Sequence, residues 1–278
     1  MALSPCLATG NLGRWLVALI LAIPTVICIF LPNKVYLLVL VCVFGGIAWH
    51  EFVANLLGRQ RIGLLILTEL GWVATAVLSC FFGVEGLAMG LFLAFAIGAA
   101  YLLFTFPQVP DKVSLNLISR YALGHLYISF SLSFVLLIKP MLGGPVLLFF
   151  VILVTALSDT GAIYVGSRLK GPKLFPKASP NKTISGFLGG IALAMLGGAL
   201  SSFYLPKDFT LPELVVMGLV LAVTGTFGDL FESALKRTLG IKDTSTILLG
   251  HGGFWDRLDS LLFNLPIFYF YISMKFQP

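Results

Sequence analysis

Long blocks of apolar residues separated by short polar punctuation dominate the pattern along the chain. Neither the strict alternation of a half-buried strand nor the one-sided stripe of a surface helix organises them. A transmembrane helix needs about 20 mostly apolar residues. Nine stretches meet that need, at roughly 15–31, 35–57, 62–82, 86–106, 121–138, 145–166, 184–205, 211–231 and 258–274. The first contains Pro24 and follows Arg14, as a signal peptide would, but no small-residue cleavage site follows Phe30. It reads as a span, and the pattern predicts an all-α, polytopic integral membrane protein of about nine transmembrane helices.

Composition sharpens this picture. Charged residues make up 11% of the 278 and hydrophobic ones 58%, with a mean hydropathy of +1.00. A soluble domain carries about 25% charged residues, so this chain lacks the polar surface to coat a water-soluble globule. The 29 glycines have no triplet period and there are only 4 cysteines, which excludes collagen-like and disulfide-stapled chains. Cys28, Cys42 and Cys80 lie inside apolar runs, where thiols act as small hydrophobes. With no linker, low-complexity segment or internal repeat, residues 1–278 read as one transmembrane catalytic domain. Residues 1–140 supply spans, and 141–278 supply spans plus the loops that carry chemistry.

Cytoplasmic loops of membrane proteins are enriched in Lys and Arg. With nine spans and a cytoplasmic N-terminus, fourteen of the eighteen basic residues fall on one side: Arg14, Arg59, Arg61, Lys112, Arg120, Arg168, Lys170, Lys173, Lys177, Lys182, Lys236, Arg237, Lys242 and Arg257. Lys34, Lys139, Lys207 and Lys275 fall on the other. The net charge of +6 thus describes orientation and one anion-attracting face. It does not describe a nucleic-acid binder, since no basic stripe is interleaved with stacking aromatics. Half of all basic residues sit in loops 166–183 and 232–257.

An ionisable side chain inside a span costs about 3 kcal/mol on insertion scales and normally faces a bundle interior or a wet cavity. Glu51 beside His50, Glu69, Asp159, Asp229 and Glu232 are such residues. Glu51 and Glu69 flank the Arg59–Arg61 loop and read as interfacial carboxylates pairing with it, while Glu85 and His125, near span ends, suggest no function. Asp229, Glu232, Ser233 and Lys236 follow helical spacing and share one face. That face carries two carboxylates, a hydroxyl and an ammonium.

Downstream, Gly250, Gly252 and Gly253 surround His251, a pattern that lets backbone N–H groups approach an anion. Asp256 and Asp259 follow at i, i+3. Two acidic clusters, each beside Lys or Arg and joined by a glycine-rich loop, suit a divalent cation held by carboxylates and substrate phosphates. Upstream, Ser179-Pro180-Asn181-Lys182-Thr183 reads as an N-cap serine and a first-turn proline, a helix start that binds anions. The glycine spacing of a Walker A loop is absent.

The run from Ser233 to Asp259, with Ser233-x-x-Lys236-Arg237, Lys242-Asp243 and Gly250-His251-Gly252-Gly253-x-x-Asp256-Arg257-x-Asp259, closely resembles the signature of phosphatidate cytidylyltransferases, or CDP-diacylglycerol synthases. Ser158-Asp159-Thr160-Gly161-Ala162 and Ser179 to Thr183 also resemble segments of that family. The detailed resemblance covers about the C-terminal 40% of the chain. Leu249 stands where the family usually has Pro, and Ser185 where many members have Glu.

The resemblance implies that CTP and phosphatidate give CDP-diacylglycerol and diphosphate in phospholipid biosynthesis, with Mg²⁺ required; it leaves open a second, monovalent or divalent, cation. It places Asp229 and Asp256 at the metal centre with Glu232 and Asp259 in support. Lys236, Arg237, Lys242 and Arg257 would neutralise the CTP phosphates and the diphosphate leaving group. Ser179, Lys182 and Thr183 would bind substrate phosphate, and Asp243, His251, Gly252, Gly253 and Asp159 would line or orient the site. The partners implied are CTP, phosphatidate and the lipid bilayer, with no nucleic acid; a homodimer is left open. The expected location is the bacterial inner membrane, with a polar cleft open to the cytoplasm. The competing readings are a CTP-dependent polyprenol or phytol kinase, an ether-lipid cytidylyltransferase and, more distantly, a secondary transporter. A kinase needs a base for its alcohol. Transporters favour midplane sites and inverted repeats, neither of which this sequence shows.

Overall fold

The computed structural model describes residues 11–56, 62–105, 111–245 and 252–276. The Arg59–Arg61 loop, Leu249, Gly250 and His251 lie outside the described residues. The helices are α1 (Asn11–Phe30), α2 (Lys34–Leu56), α3 (Ile62–Thr105), α4 (Asp111–Gly124), α5 (Phe130–Ile138), α6 (Gly144–Leu169), α7 (Ile184–Ser201), α8 (Leu211–Thr238) and α9 (Asp259–Lys275). A π-helical turn, His125–Ser129, joins α4 to α5. A two-stranded antiparallel hairpin, β1 (Lys173–Phe175) and β2 (Ser179–Thr183), precedes α7, and a 3₁₀ turn at Trp255–Arg257 precedes α9.

Among the described residues, six helical segments are long and apolar enough to cross a membrane: Lys34–Leu56, Ile66–Phe104, Asn116–Ile138, Gly144–Leu169, Ile184–Ser201 and Leu211–Thr238. The protein is therefore a polytopic, nearly all-α membrane protein. The 44-residue α3 is folded in two at Gly83, whose φ of 66° and ψ of −140° break the helix. A Cβ on Gly90 would stand 2.5 Å from the Thr75 Cα, so the two limbs run back against each other with almost no separation. Small residues at such crossings are how membrane helices approach closely.

The chain forms two compact units. The first comprises residues 1–137 and 243–257, the second 138–242 and 258–278. The late segment 243–257 thus packs with the N-terminal helices. In the first unit Trp49, Trp72 and Trp255 are fully buried. Phe52 meets the Trp255 ring edge-on at 5.0 Å, and Phe44 lies 5.2 Å from Phe254, so α2 supplies an aromatic seat for the segment. His125 is buried here too, its ring 4.4 Å from that of Trp49 and 4.6 Å from that of Tyr121, and its Nδ1 is 3.0 Å from the Ser129 hydroxyl. It is a packed core histidine.

In the second unit α6 packs on α7, α7 on α8, α8 on α9, and α9 on α6. Thr210 and Glu213 form a capping box at the start of α8. Lys275 at the end of α9 reaches the Glu213 carboxylate at 2.6 Å. Inside the unit, the fully buried Asn264 of α9 links α6 and α8 through hydrogen bonds with Thr155 and Thr224.

Candidate functional site

The hairpin corrects one expectation from sequence. Ser179 does not cap a helix with Pro180 in its first turn. Ser179–Thr183 is extended and pairs with β1, with Lys173 opposite Thr183 and Phe175 opposite Ser179. The cap is Thr183, whose backbone is extended (φ −116°, ψ 155°) and whose Oγ1 accepts from the Gly186 N–H at 3.1 Å. Physically, the strand pairing satisfies the backbone groups that a helix would otherwise use, and the helix starts only where the ladder stops. Ser185, the departure from the family pattern, donates its hydroxyl to the Lys170 carbonyl. It thereby ties α7 to a turn in which Lys170 has φ 54° and Gly171 φ 103°.

β2 delivers Lys182 to the acidic face of α8, where its ammonium pairs with Asp229. The spacing read from sequence is realised on that face: Ser233 Oγ lies 3.4 Å from Asp229 Oδ1, and Lys236 Nζ lies 2.6 Å from Glu232 Oε1. Glu232 is only 1% exposed. An ammonium ion pair offsets the charge of a carboxylate that deep, so Glu232 fixes Lys236 on the helix. One turn further, the Arg237 Nε–H donates to the Ala178 carbonyl at 3.3 Å, fastening the hairpin to α8.

Asp259 opens α9, where α8 and α9 come closest. A Cβ on Gly228 would stand 2.5 Å from the Asp259 carbonyl oxygen, so only glycine permits this approach. Asp259 lies within the electrostatic reach of Asp229, Asp159 and Lys182. Asp259 of α9 thus sits among two further carboxylates, from α6 and α8, and one lysine, which is paired with Asp229. Among the described residues, no group of three or more His, Cys, Asp or Glu is disposed to hold a metal ion as it stands. The donor set of hard carboxylate oxygens in excess of positive charge nevertheless fits Mg²⁺, with Lys182 as the cation now on Asp229.

In the first unit, residues 244, 245 and 255 donate to a carboxylate that sequence reasoning had placed elsewhere. Glu51 of α2 is 3% exposed. Its Oε1 accepts from the Ser245 hydroxyl at 2.6 Å, and its Oε2 accepts from the Trp255 N–H at 3.0 Å and the Thr244 hydroxyl at 3.1 Å. Glu51 is therefore a buried acceptor and not an interfacial carboxylate; its expected partners Arg59 and Arg61 lie outside the described residues. Asp256 completes the arrangement, its Oδ2 accepting from Gly253 N–H at 2.7 Å and from Thr244 N–H and Oγ1–H, each at 3.1 Å. Gly252 has φ 76°, and a Cβ on Gly253 would collide with both Glu51 Oε2 and Thr244 Oγ1. Asp243, Lys242 and Arg257 are exposed. Glu69 instead meets His50 at 3.1 Å.

The structure thus brings Asp159, Lys182, Asp229 and Asp259 together in one unit, with Glu232, Ser233 and Lys236 on the same helix face. It gathers Thr244, Gly253, Asp256 and Glu51 in the other. Glu51 was missed as a loop partner because its contacts are 193 to 204 residues away in sequence.

A family model described as the cytidylyltransferase family matches residues 13–275. A phosphatidate cytidylyltransferase of Bacillus subtilis (strain 168) is 43% identical over 129 residues, 46% of this chain and 47% of that protein. One from Staphylococcus haemolyticus is 44% identical over 116 residues, 41% of this chain and 44% of that protein. The uncharacterized protein YnbB of Escherichia coli (strain K12) is 37% identical over 130 residues, 47% of this chain and 43% of that protein. These alignments span about half the length of the curated relatives or less.

Proposed function

The chain belongs to the cytidylyltransferase family, and from that membership we propose that it transfers CMP from CTP to phosphatidate, giving CDP-diacylglycerol and diphosphate. The observation that carries this reading is the gathering of Asp159, Asp229 and Lys182 around Asp259, beside a helix face that presents Lys236. Such a cluster suits phosphate once a divalent cation offsets its excess negative charge. The similarity of this chain to two phosphatidate cytidylyltransferases supports a phospholipid acceptor.

A phosphatidate phosphate oxygen attacks the α-phosphorus of CTP, and the bond to the β-phosphate oxygen breaks as diphosphate leaves. The nucleophile is already ionised at neutral pH, so no strong general base is required. Positioning and charge neutralisation must supply most of the rate enhancement. Mg²⁺ would be held by Asp229 and Asp259, in place of the Asp229 and Asp256 expected from sequence because Asp256 Oδ2 accepts from Thr244 and Gly253 in the first unit, and would neutralise charge on the triphosphate. Lys182 binds substrate phosphate when released from Asp229. Lys236, held by Glu232, and Arg237, held to the hairpin, face the departing diphosphate. Lys242, at the end of the same unit, supplies positive charge to CTP; in the other unit Asp256 orders the Gly252-Gly253 backbone and Arg257 adds a further positive charge, and the family signature running from Ser233 to Asp259 includes residues of both sets. The loops carrying these residues lie on the cytoplasmic side of the bacterial inner membrane, where CTP is available.

The test supplies detergent-purified protein with CTP labelled at the α- or the γ-phosphate, Mg²⁺ and either phosphatidate or a polyprenol. The expected product is CDP-diacylglycerol with α-label and released diphosphate. Transfer of γ-label to the alcohol, or no CMP transfer to phosphatidate, overturns the reading. Asp229→Asn should abolish the reaction in folded protein.

A further inference from the structure

We propose that Glu51 is a positioning residue of the reaction, a carboxylate from an N-terminal helix that clamps the two ends of the glycine-rich segment and thereby sets Asp256. The inference rests on the cytidylyltransfer reading above. It does not follow from the C-terminal signature, which begins 182 residues after Glu51.

The geometry is specific. One carboxylate oxygen of Glu51 receives Ser245, before the glycines, and the other receives the Trp255 amide, after them. Asn55, one helical turn from Glu51 on α2, donates to the Thr244 carbonyl at 2.9 Å and to the Glu51 carbonyl at 2.8 Å. The entering end of the segment, Thr244-Ser245, is thus held at both a side chain and its backbone. The leaving strand is held at Trp255, whose ring is buried against Phe52.

Asp256 is linked to this clamp through Thr244. The single Thr244 hydroxyl lies 3.1 Å from Glu51 Oε2 and 3.1 Å from Asp256 Oδ2, so one proton is shared between two carboxylates. The backbone amides of Thr244 and Gly253 supply further donors to Asp256. A buried carboxylate is costly unless hydrogen-bonded, and among the described residues Glu51 meets that need through Thr244, Ser245 and Trp255. The same contacts that solvate Glu51 therefore fix the direction of the Asp256 carboxyl. Gly253 is required because Glu51 and Thr244 occupy the space of its Cβ.

Glu51→Gln preserves size but replaces one acceptor oxygen by a donor. In protein that still elutes as folded, kcat for CDP-diacylglycerol formation should fall at least about ten-fold. The effect should be non-additive with Asp256→Asn, the double variant being no worse than Asp256→Asn alone. Thr244→Ser, which keeps the hydroxyl, should behave like the parent, and Thr244→Val like Glu51→Gln. Hydrogen exchange provides a readout independent of turnover: amides of the peptide containing Gly253 and Trp255 should exchange faster in Glu51→Gln, with the rest of α2 unchanged. Multiplicative losses in the double variant, or unchanged exchange of that peptide, overturn the proposal. If the parent protein makes no CDP-diacylglycerol, the cytidylyltransfer reading fails, and the exchange experiment still decides whether Glu51 clamps the segment.

Discussion

Asn264 donates to the Thr155 hydroxyl at 2.8 Å, and its own carbonyl accepts from the Thr224 hydroxyl at 2.5 Å. One buried amide thereby joins three helices of the unit that holds Asp159, Asp229 and Asp259. Thr155 also donates to the Val151 carbonyl at 2.7 Å and Thr224 to the Val220 carbonyl at 2.9 Å, so both hydroxyls keep a partner when the amide is removed. Asn264→Ala should therefore destabilise the protein by about 1–2 kcal/mol, the range of interhelical hydrogen bonds in membranes. Equilibrium unfolding in mixed detergent checks this. An unchanged midpoint would show that the three-helix link contributes nothing.

Gly228 carries a second expectation, because the position stands one residue before Asp229 and against the backbone of Asp259. A methyl group there meets the Asp259 carbonyl at 2.5 Å and the Phe263 ring at 3.0 Å. Backbone cannot yield as a side-chain tip does, so Gly228→Ala must separate α8 from α9. Overpacking of this kind costs about 1–3 kcal/mol. It should also pull Asp259 away from Asp229 and reduce CMP transfer more than it reduces stability. Activity and melting temperature measured on the same preparation separate the two effects.

How far the sequence discloses this architecture depends on the range of the interactions involved. The apolar runs locate helices because a membrane span is a local property of about 20 residues, and the 229–236 stripe is local too. Ser179-Pro180 misled because a cap and a strand terminus use the same residue types. The choice of Thr183 as cap is made by pairing with Lys173, ten residues upstream, which no helical pattern encodes. Glu51 shows the stronger limit. Its burial cost marks it as unusual, but whether Arg59 or a segment nearly 200 residues later relieves that cost is a tertiary matter. His125 was legible in the opposite sense, since a histidine with no partner spacing proved to be core.

The Lys182–Asp229 pair predicts a characteristic sign of coupling. Lys182→Met leaves Asp229 and Asp259 without the positive charge beside them, and these two half-buried carboxylates and the exposed Asp159 then repel across Asp259. Asp229→Asn removes one of those charges. The double variant should accordingly be more stable than Lys182→Met alone, although both lack activity. Added Mg²⁺ should raise the melting temperature of Lys182→Met more than that of the double variant. A double variant less stable than Lys182→Met would contradict the charge balance described here.

Ser185 provides the last expectation, and it concerns a residue in which this chain differs from many of its family. Its hydroxyl closes a turn containing Lys170 at φ 54° and Gly171 at φ 103°, immediately before the hairpin that presents Lys182. Non-glycine residues hold positive φ only when their surroundings impose it, and the Ser185 hydrogen bond is one such constraint. Ser185→Ala should relax the turn and lower the population of hairpin conformers that place Lys182 beside α8. Loss of a hydrogen bond worth about 1 kcal/mol corresponds to roughly a five-fold rise in KM for CTP with kcat little changed. Ser185→Glu restores the common family residue but cannot donate to the Lys170 carbonyl when ionised. If hydrogen bonding is what matters at this position, the glutamate variant should show the same rise in KM as alanine, whereas Ser185→Thr should stay near the parent value. Steady-state kinetics over a range of CTP concentrations distinguishes these outcomes, and a glutamate variant that matches the parent would assign the position to charge instead of to the turn.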